Sequence, residues 1–271
     1  MTEQATGSAD ATKVVQITDT HLFANTAELL VGMNSEESLR DVLQLVRTHE
    51  PDLKVIVCTG DVSQDNSIAS YQRLEHALGA FGVPQYWLPG NHDELERMRV
   101  AIGERNPCFA RSFAVPGWRV ILGNSSVEGE VFGRLSPTEL EFLADALNAA
   151  TEPNILLCLH HNPVPVQAHW LQRHSLKNAE ALFALVDACP RVRAVLFGHI
   201  HHELARERQG VCYLGTPSTC IQFHPDSHDF ALDHRNPGYR WFNLHPDGRF
   251  ETGVRRVEDK RYAVDFSGVG Y

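Results

Sequence analysis

Five short apolar runs, each ending on Asp, Asn or His, restrict this chain more than any other feature. KVVQIT leads into Asp19-Thr20-His21, LKVIVCT into Gly60-Asp61, and QYWLP into Gly90-Asn91-His92-Asp93. NILLCL leads into His160-His161, and VRAVLF into Gly198-His199-Ile200-His201. Runs of this length and composition read as buried strands. Between them lie helical periods: residues 34–49, with Leu39, Val42, Leu43 and Val46 on one side; residues 67–81, through Tyr71, Leu74, Leu78 and Phe81; and residues 179–188. Asn34 with Glu37, and Ser136 with Pro137 and Glu139, form capping boxes, the second opening a helix through Leu140, Phe142, Leu143 and Leu147.

Strands alternating with helices require crossovers and parallel pairing. Residues 112–115 and 119–122 flank Pro116-Gly117 and predict a hairpin, and beyond residue 203 short strands and turns such as Pro246-Asp247-Gly248 predict antiparallel sheet. The expected fold is α/β, a four-layer α-β-β-α sandwich of two mixed sheets flanked by helices. It forms a single domain over residues 13–271 behind a flexible tail, residues 1–12.

The clusters fall where open α/β sheets bind ligands, outside the carboxyl ends of strands. Asp19 and His21 are two apart, as are His199 and His201, so at extended-chain geometry both members of each pair face one side. Carboxylate, imidazole and amide oxygen without thiolate suit a catalytic Fe, Mn, Zn or Co ion rather than a structural zinc knot. His160 and His161 are adjacent and face opposite ways on an extended segment, so one of them ligates.

Composition narrows the partners. With 24 basic and 34 acidic residues in 271, the formal charge is −10, which disfavours nucleic acid held through its phosphates but not a small anion beside a cation. The 15 histidines are in excess of ordinary need. Six cysteines without a C-x-x-C pair read as reduced core thiols. The first dozen residues are polar and no apolar run reaches the ~20 residues of a membrane span, so neither a secretory signal nor a membrane partner is expected. The expected compartment is the cytoplasm. His224, His228 and His234, among Asp226, Asp229 and Asp233, read as a solvated loop.

Taken in order, Asp19-x-His21, Gly60-Asp61, Gly90-Asn91-His92-Asp93, His160 and Gly198-His199-x-His201 resemble the motifs of the calcineurin-like metallophosphoesterases. Three later segments, 160–165, 215–220 and 237–241, are similar to those of the bacterial cyclic-nucleotide phosphodiesterases within that family. The resemblance implies a two-metal site: Asp19, His21 and His201 on one ion, Asn91, His160 and His199 on the other, Asp61 on both. It implies hydrolysis of 3′,5′-cyclic AMP to 5′-AMP by a water ionised between the cations. The alternative is a broader phosphodiesterase or phosphatase.

By the same resemblance His92 is the catalytic residue, assisting the leaving group, with Asp65 or Asp93 as its carboxylate partner. Asn91, His92, His21, His161 and His201 are the expected substrate contacts. Base and ribose are expected against residues 162–170 and 216–222.

Overall fold

The computed structural model describes residues 11–268 and residue 270. In chain order its elements are β1 (Thr12–Ile17), α1 (Ser35–His49), β2 (Leu53–Cys58), α2 (Ile68–Gly79), β3 (Gln85–Trp87), α3 (Leu95–Ile102), a 3-10 turn (Pro107–Phe109), β4 (Ser112–Val115) and β5 (Trp118–Leu122). They continue with α4 (Pro137–Ala149), β6 (Asn154–Cys158), α5 (His169–Gln172), α6 (Ala179–Asp187), β7 (Val192–Phe197), β8 (Leu204–Arg208), β9 (Val211–Gly215), β10 (Gly238–Leu244) and β11 (Phe250–Arg256).

Successive strand residues point to opposite faces, and both faces here are apolar. Val14, Val55, Val57, Leu156, Cys158, Ala194 and Leu196 meet Trp118, Phe242 and Leu244 in a core shared by both sheets. Their neighbours face outward: Val15, Ile17, Ile56 and Cys58 pack on α1, α2 and α3, while Ile155, Leu157, Val195 and Phe197 pack on α4 and α6. Each fully buried aliphatic side chain contributes about 1.5–3 kcal/mol. The result is the four-layer sandwich.

The two sheets run β11-β10-β1-β2-β3 and β4-β5-β6-β7-β9-β8. Parallel neighbours β1, β2 and β3 in one, and β5, β6, β7 and β9 in the other, carry antiparallel strands at their margins. The segment beyond residue 203 does not form a sheet of its own. β8 and β9 extend the second sheet, whereas β10 and β11 join the first beside β1.

Residues 1–10 of the expected tail lie outside the described residues, and its boundary is late, since Thr12 already pairs with Leu244. Both N-caps form, Asn34 Oδ1 accepting from Glu37 N at 2.8 Å and Ser136 Oγ from Glu139 N at 3.1 Å. The reciprocal halves of the expected boxes turn elsewhere. Glu37 binds Lys260, and Glu139 binds Arg111 and the Asn124 N–H. Among the described residues no helix is long and apolar enough to cross a membrane.

Candidate metal centre

Asp19, His21, Asp61, His160, His199 and His201 converge at the carboxyl ends of β1, β2, β6 and β7, all of them buried. Asp19, His21, Asp61 and His201 bring one ligand atom each within 4.8 Å of one another, and His160, His161 and His199 form a second such group. Asp61 lies between the groups, its Oδ2 3.3 Å from His160 Nε2 and 3.8 Å from His21 Nε2. Asn91 Oδ1 adds an amide oxygen 3.1 Å from His160 Nε2.

Backbone conformation delivers these side chains, and it is not extended. Asp19, His21, Asp61, His199 and His201 all have positive φ, between 45° and 65°. The expectation that the paired residues share a side through strand periodicity is therefore corrected. The strands have ended, and left-handed turns aim the side chains inward. Asp and His tolerate this region better than most residues, at a cost of order 1–3 kcal/mol each.

Neighbouring segments hold the turns in place. Asp19 N donates to Gly60 O at 2.9 Å, His21 N to Asp61 O at 3.0 Å, and Gly198 N to His160 O at 3.1 Å. The motif glycines are required by crowding. A Cβ on Gly90 would lie 2.1 Å from Asp61 Oδ1, and one on Gly198 2.1 Å from Thr18 Oγ1.

The ring nitrogens test whether cations fit. His21 Nδ1 donates to Gln64 Oε1 at 2.7 Å, His160 Nδ1 to Thr59 O at 2.7 Å, and His201 Nδ1 to Ile221 O at 2.9 Å. Each ring thus turns its Nε2 into the cluster, where the neutral form would present a lone pair, the arrangement that orients metal-bound histidines. His21 Nε2 and His201 Nε2 stand 3.1 Å apart, and His201 Nε2 is 3.3 Å from Asp19 Oδ1. His199 Nε2 is buried without a hydrogen-bond partner.

Electrostatics agree. Burial disfavours charge on Asp61, but His160, His92 and His21 outweigh it and hold its carboxyl well below the usual range. Burial pulls His160 down, yet Asp61 and Asp19 push it up to about 9, whereas at His21 burial prevails and brings the ring to about 3. The carboxylates call for positive charge, which divalent cations supply.

Asn91, His92 and His199 line a cavity of about 430 Å³ with Val131, Trp170, Leu171, Arg173, His174, Phe223, Asp229 and Phe230. His92 is half-buried; its N–H donates to Asp61 Oδ1 at 2.8 Å and its ring meets His21 edge-on, with centroids 5.0 Å apart. His21 and His201 lie beneath, fully buried.

His161 stands beside His160 and His199 and is bonded to protein. Its backbone N–H and Nδ1 bond Ser125 Oγ at 3.2 and 2.8 Å, and its Nε2 donates to Val131 O at 3.1 Å. The ring is fully buried, and through these bonds it braces the loop carrying Val131.

The other expected contacts have protein partners of their own. Both carboxylates proposed to serve His92 bind backbone: Asp93 accepts from Gly90, Val62 and Ser63 N–H groups, and Asp65 from Ala24 and Ser67 N–H groups. Segment 216–222 is buried architecture, with Thr216 Oγ1 donating to Gln16 and Ser218 Oγ to Asp19 O, both at 2.6 Å. Of segment 162–170 only Trp170 lines the cavity, together with Leu171, Arg173, His174, Phe223, Asp229 and Phe230, which sequence reasoning did not single out as substrate contacts. Trp170 is the one residue of this wall that the expected segment contained.

Residues 12–203 match the family model described as calcineurin-like phosphoesterase. The chain is 43% identical over 258 residues to a 3′,5′-cyclic adenosine monophosphate phosphodiesterase, CpdA, of Pseudomonas aeruginosa, covering 95% of this chain and 94% of that one. It is 40% identical over 244 residues to a 3′,5′-cyclic-nucleotide phosphodiesterase of Nostoc sp., covering 90% and 92% respectively. Its fold is similar to that of a purple acid phosphatase from yellow lupin, with TM-score 0.68 and 16% identity over 95% of this chain and 53% of that one. A dimetal phosphatase from Danio rerio gives TM-score 0.62 at 16% identity, over 92% and 99%.

Proposed function

The chain belongs to the calcineurin-like phosphoesterases, and from that premise we propose that it hydrolyses 3′,5′-cyclic AMP to 5′-AMP. In this reading Asp19, His21 and His201 would hold one divalent cation, Asn91, His160 and His199 would hold the other, and Asp61 would serve both. When bound, two such cations supply Lewis acidity toward the phosphoryl oxygens and a water acidic enough to ionise near neutral pH.

The protein's own part is orientation and proton delivery. Nδ1 hydrogen bonds from His21, His160 and His201 fix three rings so that their Nε2 atoms point inward. Asn91 and His92 line the cavity beside the cluster, where a phosphate would approach it. In-line attack on phosphorus expels the ribose 3′-oxygen, which leaves as an alkoxide unless it is protonated. His92, open to the cavity and braced by its own N–H on Asp61, donates that proton or stabilises the developing charge.

The observation that carries the reading is near full-length likeness to phosphodiesterases of cyclic nucleotides, joined to two neighbouring groups of possible metal ligands, Asp19, His21, Asp61 and His201 in one and His160, His161 and His199 in the other. Incubation with cyclic AMP and manganese, followed by product separation, tests it. The expected product is 5′-AMP. Turnover of bis(p-nitrophenyl) phosphate with cyclic AMP left intact overturns the reading in favour of a broader phosphodiesterase.

A further inference from the structure

One wall of the cavity is aromatic, and it is assembled from two segments distant in sequence. Trp170 lies on the single turn of α5, whereas Phe223 and Phe230 lie on the loop after β9. Trp170 meets Phe223 edge-on at 4.9 Å and Phe230 at 5.1 Å between centroids. Phe223 is buried beneath them and stacks face to face on His201, with centroids 4.0 Å apart and planes within 9°. Trp170 and Phe230 keep half-exposed surface toward the cavity.

The wall is held firmly. Trp170 Nε1 donates to Ser227 Oγ at 3.2 Å, His169 N to Ser227 O at 3.1 Å, and His224 N to Ala231 O at 2.8 Å. Phe223 also pairs with Leu232. An indole fixed at both its polar and apolar edges offers a stacking surface at little entropic cost. Arg173, His174 and Asp229 add polar groups to the same lining.

We infer that this wall is the base subsite, in which the Trp170–Phe230 surface receives the face of a purine while the cyclic phosphate reaches Asn91 and His92. The inference rests on the cyclic-nucleotide reading above and names the residues that set its specificity. A phosphate lodged at Asn91 and His92 leaves the rest of a nucleotide to occupy the same cavity, whose aromatic lining is Trp170, Phe223 and Phe230. Every base has a π-face, so stacking alone tolerates different purines, and discrimination falls to the polar groups of the lining.

The test crosses the residue with the base. Against cyclic AMP, Trp170→Ala raises KM by about tenfold to a hundredfold with kcat within a few-fold, and Trp170→Phe restores most of the loss. Against methyl ribofuranoside 3′,5′-cyclic phosphate, which has no base, kcat/KM of wild type and Trp170→Ala agree within about threefold. Equal losses on both substrates, or none on either, overturn the inference.

A second readout needs no turnover. Adenosine titrated into the metal-free protein quenches tryptophan fluorescence saturably in wild type and not in Trp170→Phe, where the buried Trp87 and Trp118 and the half-buried Trp241 remain. Unchanged quenching in Trp170→Phe, or no saturable quenching in wild type, overturns the subsite. Failure of wild type to cleave cyclic AMP overturns the proposed function instead and leaves the fluorescence result to decide the subsite.

Discussion

The Nε2 atoms of His21 and His201 lie 3.1 Å apart in a fully buried site, while the Nδ1 atom of each ring donates to a protein oxygen. Two lone pairs at that distance repel unless a positive charge stands between or beside them. A divalent cation bound there is therefore expected to stabilise the fold. Manganese at about a hundred times its Kd contributes about 2.7 kcal/mol, which raises Tm by roughly 5–10 °C. Scanning calorimetry before and after chelation checks this. No shift in wild type, or the same shift in Asp61→Asn, contradicts the centre.

His92 separates catalysis from metal retention. It lines the cavity while its ring abuts His21, so its removal leaves the proposed ligand set intact. His92→Ala is expected to lower kcat on cyclic AMP by about a hundredfold to ten-thousandfold and to keep the manganese-dependent rise in Tm. Full activity in this variant would remove His92 from the mechanism.

Gly90→Ala is expected to disable the centre without touching a proposed ligand. The new methyl would lie 2.1 Å from Asp61 Oδ1 and 2.3 Å from the Asp61 backbone nitrogen. Asp61 and Gly90 cannot both stay in place. Metal titration by calorimetry should show weakened binding, and a wild-type isotherm would mean that the loop yields more readily than its packing implies.

Asp65 offers a pH prediction. Burial alone would lift its carboxyl, but hydrogen bonds from Ala24, Ser67 and Ser63 outweigh that effect and hold its pKa below the usual value. A carboxyl with a lowered folded pKa contributes stability that is present above its unfolded pKa, about 3.9, and lost as pH falls through the folded value. The Tm gap between wild type and Asp65→Asn should therefore be full at pH 7 and close toward pH 3. Because the group is mostly exposed, the gap is small, about 1–3 °C. A gap that widens on acidification contradicts the assignment, and kcat should remain within a few-fold if Asp65 serves the loop rather than His92.

Much of the fold was legible because burial on both faces of a strand leaves a continuous apolar run, as in LKVIVC and VRAVLF, whereas Asn and Ser at helix starts announce caps. The cluster was legible from its recurrence at successive strand ends. Its geometry was not. Left-handed turns at Asp19, His21 and His199 depend on cross-bonds such as His21 N to Asp61 O, which span distant residues. Nor does local pattern say that Glu139 abandons its own helix cap for Arg111, or that Trp170 meets Phe230. Such pairings are settled by tertiary packing, for which a single turn of helix and an irregular loop carry little periodic signal.

Asp19 follows a strand of one sheet and accepts, through both carboxylate oxygens, the backbone N–H of His199 from the other. Heritable change in either half is thereby audited by its counterpart. Fragments expressed separately from a gene cut between residues 122 and 137 would each inherit half a recipe, and only their reunion would restore it. Shuffling of whole sheets between distant cousins is barred for the same reason, while replacement of peripheral loops stays open as a route to new substrates.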